Sequence, residues 1–313
     1  FPERYERDDI VLLSELALAL DDPNGKALKK SIVDMYEVYG DTKFERLSHI
    51  SVSHIYNLKK GSIYREKVLI YEKTKPTPLN IGERRKPDPL GEPGYLRVDS
   101  VHQGEKDGLK GVYHINIVDE VTQHEFLGSV DTICEADMIP LLKELLAFFP
   151  YRIINIHSDN GSEYVNYVVE DLLNRLHINQ TKSRPRKSGD NALVEGKNGA
   201  VVRKAYGYIY IPKGNASRLN VFNRVLNHHI NFHRHSGFAT DVLGKRGKIV
   251  KKYNIYLTPT QKLLSIPECE KYLKPGITKE SLLKKALEMT HMESGKKVNE
   301  AKTKLFKEIF AKK

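Results

Sequence analysis

The sequence predicts a mixed α/β protein preceded by a helical segment. Three observations lead there. Apolar residues recur at helical spacing through the first 75 positions, strand-like runs rich in Val, Ile and Tyr take over from residue 95, and helix and strand patterns alternate from Ala136 onward. With 40% hydrophobic residues, the 313-residue chain can build two or three cores at roughly 100–200 residues per domain.

Residues 1–75 read as a helical domain. Ile10–Leu20 is apolar and free of Pro and Gly, and Leu28, Ile32, Met35, Tyr36 and Tyr39 follow at three- to four-residue spacing until Gly40. Thr42-Lys43-Phe44-Glu45 fits a capping box with Thr42 as N-cap, and Leu47 and Ile50 continue the apolar face. Ser51–Lys60 offers a further short helix, stopped by Gly61. Two short helices after a longer one suggest a helix-turn-helix-like unit, in which Ser51, Ser53, His54, Asn57 and Lys60 would face a DNA groove. A generic helical bundle is the competing reading. Residues 76–94 contain Pro76, Pro78, Pro87, Pro89 and Pro93 with Gly82, Gly91 and Gly94, the composition of a linker.

The next domain is expected over 95–240. Tyr95–Val101, Val112–Val118 and Glu125–Val130 read as three strands of an antiparallel meander. Ala136–Phe149 is a helix with Met138, Leu141, Leu142, Leu145 and Phe148 on one face, and Arg152–Ser158 is a fourth strand. A strand, a crossover helix and another strand imply parallel addition to the sheet. Val165–Leu176 reads as helix, Ile178–Ser183 as a short strand and Leu193–Tyr206 as helix. Three antiparallel strands, then parallel ones, with helices on both faces, describe a ribonuclease-H-like core. Residues 241–313 are Lys-rich and partly helical, over Leu282–Met289 and Val298–Phe310.

Composition excludes several classes. No apolar run approaches the ~18 residues of a membrane span, so no membrane partner is expected. Phe1-Pro2-Glu3-Arg4 lacks the order of a signal peptide, and the absence of an initiator Met points to a start inside a longer protein. The two cysteines, Cys134 and Cys269, form no C-x-x-C, which argues for a reduced, soluble, intracellular protein. The net charge of +11 is unevenly spread: residues 95–174 hold 14 acidic and 5 basic groups, whereas 175–240 hold 12 basic and 2 acidic. A basic face suits a polyphosphate, and an acidic cluster beside it would repel that partner unless a metal cation intervened. Ordinary solvated faces would give the same counts.

Three carboxylates stand out. Asp99 lies inside the first strand, where Asp is disfavoured. Asp159 sits where the fourth strand ends in Ser158-Asp159-Asn160-Gly161. Glu195 lies on the last core helix, 35 residues beyond Asp159. Hard divalent cations take oxygen ligands, and two of them ~3.5–4 Å apart can activate an attacking oxygen and stabilise a leaving one. Asp119 and Asp131, near strand ends, are rival ligands. His228, His229, His233 and His235 invite a zinc reading, set aside because no cysteines or H-E-x-x-H accompany them.

Residues 94–240 resemble the retroviral-integrase-type DDE recombinases, particularly insertion-sequence transposases. The resemblance rests on Val98-Asp99-Ser100, Ser158-Asp159-Asn160-Gly161-Ser162-Glu163-Tyr164, Ser183-Arg184-Pro185 and Asn191-Ala192-Leu193-Val194-Glu195. It implies a ribonuclease-H-like core, two Mg²⁺ or Mn²⁺ ions held by Asp99, Asp159 and Glu195 as catalytic triad, and cutting and joining of DNA. It further implies double-stranded element ends and target DNA as partners, a homo-oligomer assembled on DNA, and a cytoplasmic, nucleoid-associated, prokaryotic setting. Asn198 matches the family's Asn three positions after the Glu. Positions four and seven after it, often Lys in the family, are Gly199 and Val202 here. Phosphate contacts would then fall to Lys197, Arg203 and Lys204 beside Asn198, with Lys182, Arg184, Arg186 and Lys187 upstream. Retroviral members carry an amino-terminal His/Cys zinc domain; this chain lacks its cysteines and offers the helical segment instead. A ribonuclease-H-like nuclease without strand transfer and a catalytically inactive DNA-binding regulator are the alternative functions.

Overall fold

The structure is a computed structural model, and it describes residues 5–65, 88–158, 178–182, 192–243 and 249–311. The chain forms two compact units. One gathers residues 1–74, 228–262 and 282–300, the other residues 75–227, 263–281 and 301–313.

The first unit begins with five helices, α1 (Arg7–Ala19), α2 (Gly25–Glu37), α3 (Glu45–Ser48), α4 (Val52–Leu58) and α5 (Ser62–Arg65). Two of them have a clear local reason to start where they do. Asn24 Oδ1 accepts from the backbone N–H groups of Lys26 and Ala27, and Ser51 Oγ accepts from that of His54. The capping box expected at Thr42 is absent. Asp41 accepts from Lys43 N at 3.1 Å, and Thr42 instead opens a 3-10 turn, Thr42–Phe44, ahead of α3. The Asp41 side chain, one residue earlier, caps this turn instead. Leu13, Leu16, Leu20, Leu28, Ile32, Met35, Phe44, Leu47, Ile50 and Ile55 close over a common core.

This unit also holds a hairpin the sequence reading missed, formed from β8 (Ser236–Leu243) and β9 (Ile249–Leu257), paired antiparallel with a register shift at Phe238/Ala239. The expected core boundary at residue 240 therefore falls inside a strand, because residues 236–243 find their hydrogen-bonding partners in 249–257.

The second unit is built on a five-stranded sheet in the order β5-β4-β1-β6-β7. Its strands are β1 (Tyr95–His102), β4 (Tyr113–Asp119), β5 (Glu125–Val130), β6 (Asn155–Ser158) and β7 (Asn179–Lys182). β1 pairs antiparallel with β4, and β4 with β5, while β6 runs parallel to β1 and β7 parallel to β6. This is the topology of the ribonuclease-H-like core that the meander and crossover predicted. Helix α6 (Glu135–Phe148) makes the crossover and packs on β5. There Gly128 lets Leu141 lie against the backbone, for a Cβ would meet the Leu141 side chain at 2.5 Å. Two further short strands, β2 (Glu105–Lys106) and β3 (Leu109–Lys110), form a small exposed hairpin between β1 and β4. The expected helix over Val165–Leu176 lies outside the described residues.

The expected helix over Leu193–Tyr206 is interrupted. Ala192–Lys197 is α-helical, Asn198–Val202 forms a π-helical turn, and Arg203–Tyr206 closes the run. Such π turns recur at functional sites. Among the described residues no helix is long and apolar enough to cross a membrane.

Candidate active site

Asp99 occupies the middle of β1, the central strand of the sheet. Its Oδ1 accepts from Ser100 N at 2.8 Å. Its Oδ2 accepts from Asn198 Nδ2 at 2.6 Å. That second bond ties the helix bearing Glu195 to the central strand. Glu195 precedes Asn198 by three residues, and residues so spaced on a helix share a face. Glu195 is exposed.

Asp159 lies outside the described residues. The residue before it, Ser158, ends β6 directly opposite Val98, the chain neighbour of Asp99. Two of the three carboxylates thus sit on elements joined by a described hydrogen bond, and the third follows in sequence from the strand alongside.

The Asn198 amide does more than touch Asp99. Its Oδ1 accepts from Asn116 Nδ2 at 2.9 Å, and Asn116 Nδ2 also donates to Glu125 Oε1 at 3.1 Å. Glu125 Oε2 in turn lies 3.5 Å from Lys197 Nζ. Asn116 stands opposite Asp99 in the β1–β4 register, and Glu125 stands opposite Val118, two residues along β4. Successive side chains of a strand alternate faces, so Asp99, Asn116 and Glu125 share one face of the sheet. The result is a polar ladder running from Asp99 through Asn198, Asn116 and Glu125 to Lys197. Asn116 and Glu125 are essentially inaccessible and Asn198 is 8% exposed. Buried polar groups persist where they are bonded to one another, and such a network holds its members in fixed orientation.

Sequence reasoning missed Asn116 and Glu125. A signal was available: both are polar residues inside otherwise apolar strands, the cue that singled out Asp99. Lys197, expected at phosphates, and Asn198, expected among the DNA-binding residues, are engaged within the fold, one paired with Glu125 and the other bonded to Asp99 and Asn116. Arg203 stacks its guanidinium 4.9 Å from the Tyr208 ring, and the backbone carbonyl of Lys204 accepts from Lys302 Nζ.

The rival acids have structural roles. Asp119 is fully buried; its Oδ2 accepts from Gly94 N, and its Oδ1 from Val121 N, Thr122 N and Thr122 Oγ1. Burial pushes its carboxyl up to about 6 against the opposing pull of those donors. Asp131 Oδ1 accepts from Gly214 N and Ala216 N, at the start of the helix Ala216–Phe232.

On α4 and its flanks, Ser51, Ser53, Asn57 and Lys60 are exposed, while Ile55 points into the helical core. His54 is half-buried edge-on against Tyr5, with ring centroids 4.9 Å apart. Lys182 ends β7. Arg184, Arg186 and Lys187 lie outside the described residues.

The donor set suits a hard divalent ion. Asp99 and Glu195 offer carboxylate oxygens, the ligand type that Mg²⁺ and Mn²⁺ prefer, and Asp99 is already oriented by its neighbours.

No protein-family model matches the chain. It is 33% identical over 122 residues to the uncharacterized protein y4rM of Sinorhizobium fredii (strain NBRC 101917 / NGR234), a match covering 39% of this chain. The matched region spans about a third of that relative's length, 34%. Structural neighbours are retroviral integrases. The catalytic core domain of BIV integrase aligns with a TM-score of 0.38 at 16% identity, covering 57% of this chain and 98% of that one. The HTLV-2 integrase catalytic core domain in complex with magnesium aligns at 0.34 and 16% identity, covering 50% and 91%. The simian T-cell lymphotropic virus intasome aligns at 0.36 and 17% identity, covering 70% and 72%.

Proposed function

We propose that this chain is a metal-dependent DNA-cutting and -joining enzyme of the insertion-sequence transposase kind. The observation that carries the reading is the Asp99–Asn198 hydrogen bond, which docks the Glu195-bearing helix on the strand that presents Asp99. Asp99, Asp159 and Glu195 would hold two Mg²⁺ or Mn²⁺ ions. Bound there, such ions activate the attacking oxygen and stabilise the leaving one during phosphoryl transfer.

The protein's own part is orientation. Asn198 fixes the Asp99 carboxylate from one side and the Ser100 N–H fixes it from the other. Asn116, Glu125 and Lys197 hold Asn198 in turn, so Lys197 and Asn198 are positioning residues in this reading. The exposed face of α4, with Ser51, Ser53, Asn57 and Lys60, reads element ends. Lys182, Arg184, Arg186 and Lys187, with Arg203 and Lys204, follow the DNA backbone. Water first attacks the phosphodiester at the element's end, and the freed 3′-hydroxyl then attacks target DNA. The working form is a homo-oligomer assembled on DNA, associated with a prokaryotic nucleoid. In domain terms, residues 1–75 supply end recognition, 76–94 a linker and 95–240 the catalytic core, with residues 228–240 shared with the first compact unit.

The test is incubation of the purified protein with element-end DNA and a target plasmid, with Mg²⁺ or with a chelator. Joined products that require Mg²⁺ support the proposal. Cut ends without joining favour the nuclease alternative, and binding without cutting favours the regulator.

A further inference from the structure

The first compact unit contains a cluster that the DNA chemistry does not use. Asp34 on α2, His235 just before β8 and His291 at the start of the helix His291–Phe310 converge in its interior, with 1%, 5% and 2% exposure. One ligand atom from each residue lies within 4.8 Å of those from the other two. His235 Nε2 is 3.0 Å and His291 Nε2 is 3.2 Å from the same oxygen, Asp34 Oδ2. We propose that these three residues form a divalent transition-metal site, with zinc its natural occupant, in the first compact unit.

The ligand chemistry fits. Two imidazoles and one carboxylate make a borderline set suited to Zn²⁺, which binds His nitrogen and Asp oxygen at ~2.0–2.2 Å. Ligand atoms on such a sphere stand ~3–4 Å apart, and the two described separations of 3.0 and 3.2 Å lie at the lower end of that range. A small outward movement of each ring makes room for the ion.

The surroundings fit as well. Metal-bound histidines almost always use their second ring nitrogen to hold an outer partner. His235 Nδ1 lies 2.9 Å from Ser31 Oγ, and His291 Nδ1 lies 3.2 Å from the Tyr39 hydroxyl and 3.3 Å from His233 Nδ1. Asp34 Oδ1 is taken by Lys30, which leaves Oδ2 as the oxygen facing both rings.

The site would act as a staple. Its ligands are 201 and 257 residues from Asp34, and one ion would tie three separate chain segments into this unit. Sequence reasoning weighed His235 only with its neighbours in the chain, and so passed over Asp34 and His291.

Metal content of the full-length protein tests the proposal. Protein purified without chelator should carry one zinc per chain by elemental analysis. The Asp99→Asn/Glu195→Gln double variant should carry the same amount, which separates this site from the proposed catalytic one. His235→Gln and His291→Gln should each lose the ion. The decisive variant is His235→Cys, because a cysteine there can still ligate. Its Co²⁺-loaded form should show a thiolate-to-cobalt charge-transfer band that Co²⁺-loaded wild type lacks. Zinc that vanishes in the Asp99→Asn/Glu195→Gln variant, a folded wild-type protein that takes up neither Zn²⁺ nor Co²⁺, or a Co²⁺-loaded His235→Cys protein without that band would overturn it.

Discussion

Replacing Asn198 probes the polar ladder most directly. Asn198→Ala removes one hydrogen bond to the Asp99 carboxylate and one from Asn116. A bond to an ionised group contributes roughly 1.5–3 kcal/mol and a neutral one roughly 0.5–1.5. The side chain is 8% exposed, so water does not readily replace either bond. The expected loss of stability is about 2–4 kcal/mol, read as a lower midpoint in urea with an unchanged slope. Catalysis should fall further than binding. Losing a partner that orients a metal ligand typically costs about 10–100-fold, so kcat should drop by that factor while KM for DNA stays near its original value. Asn198→Asp separates orientation from charge. It nearly preserves shape but sets a second carboxylate against Asp99, which raises the pKa of Asp99. Both variants lose the amide donor to Asp99, and Asn198→Asp adds a negative charge beside it, so the acid limb of the cleavage profile should move upward in both and further in Asn198→Asp. Wild-type unfolding midpoint and wild-type kcat in Asn198→Ala would refute the reasoning, because the ladder would then be holding nothing that matters.

The remaining predictions concern the proposed enzyme and its DNA. Asp99→Asn, Asp159→Asn and Glu195→Gln should each abolish cleavage and joining while DNA binding persists in a gel-shift assay; near-normal turnover by Asp99→Asn would remove it from the active site. Asn57→Ala should relax end specificity, at a cost of ~1–3 kcal/mol if its amide reads a base; equal discrimination between end and random DNA by both proteins would show that α4 does not read sequence. The Arg184→Ala/Arg186→Ala/Lys187→Ala protein should bind every DNA more weakly, and its log–log salt dependence should flatten by ~0.9 for each phosphate no longer neutralised; an unchanged slope would place that stretch away from DNA.

Much of the second unit was legible because its patterns are local. Glu125–Val130 and the helix following Cys134 stand in the structure almost where apolar periodicity put them. Asp99 was legible because an acid inside a strand is locally anomalous. What stayed hidden depends on partners distant in the chain. The β9 strand, Ile-Val-Lys-Lys-Tyr-Asn-Ile-Tyr-Leu, carries two lysines and reads as charged surface until β8 is laid beside it. The π turn at Asn198–Val202 has no composition signal, since Asn-Gly-Ala-Val-Val continues a helical pattern acceptably. The Asp34–His235–His291 cluster spans separations that no spacing rule scans.

Lys197 shows how the charge pattern itself divides between folding and binding. It belongs by sequence to the basic stretch after residue 175, yet its amine lies 3.5 Å from the buried Glu125 carboxylate of the acidic stretch. Part of the charge contrast is thus closed inside the fold, where the Glu125 side chain is 1% exposed and that of Lys197 15%. Lys197→Met keeps most of the volume and removes the charge, so Glu125 keeps its bond from the Asn116 amide but not the cation beside it. Breaking a fully buried pair from one side costs about 3–5 kcal/mol; with Lys197 still partly wet, about 2–4 kcal/mol is expected here. The salt dependence of DNA binding should not move, because an amine engaged with a carboxylate displaces no counterion from DNA. The opposite pattern, full stability with a slope reduced by ~0.9, would mean that Lys197 leaves Glu125 for a phosphate when DNA arrives.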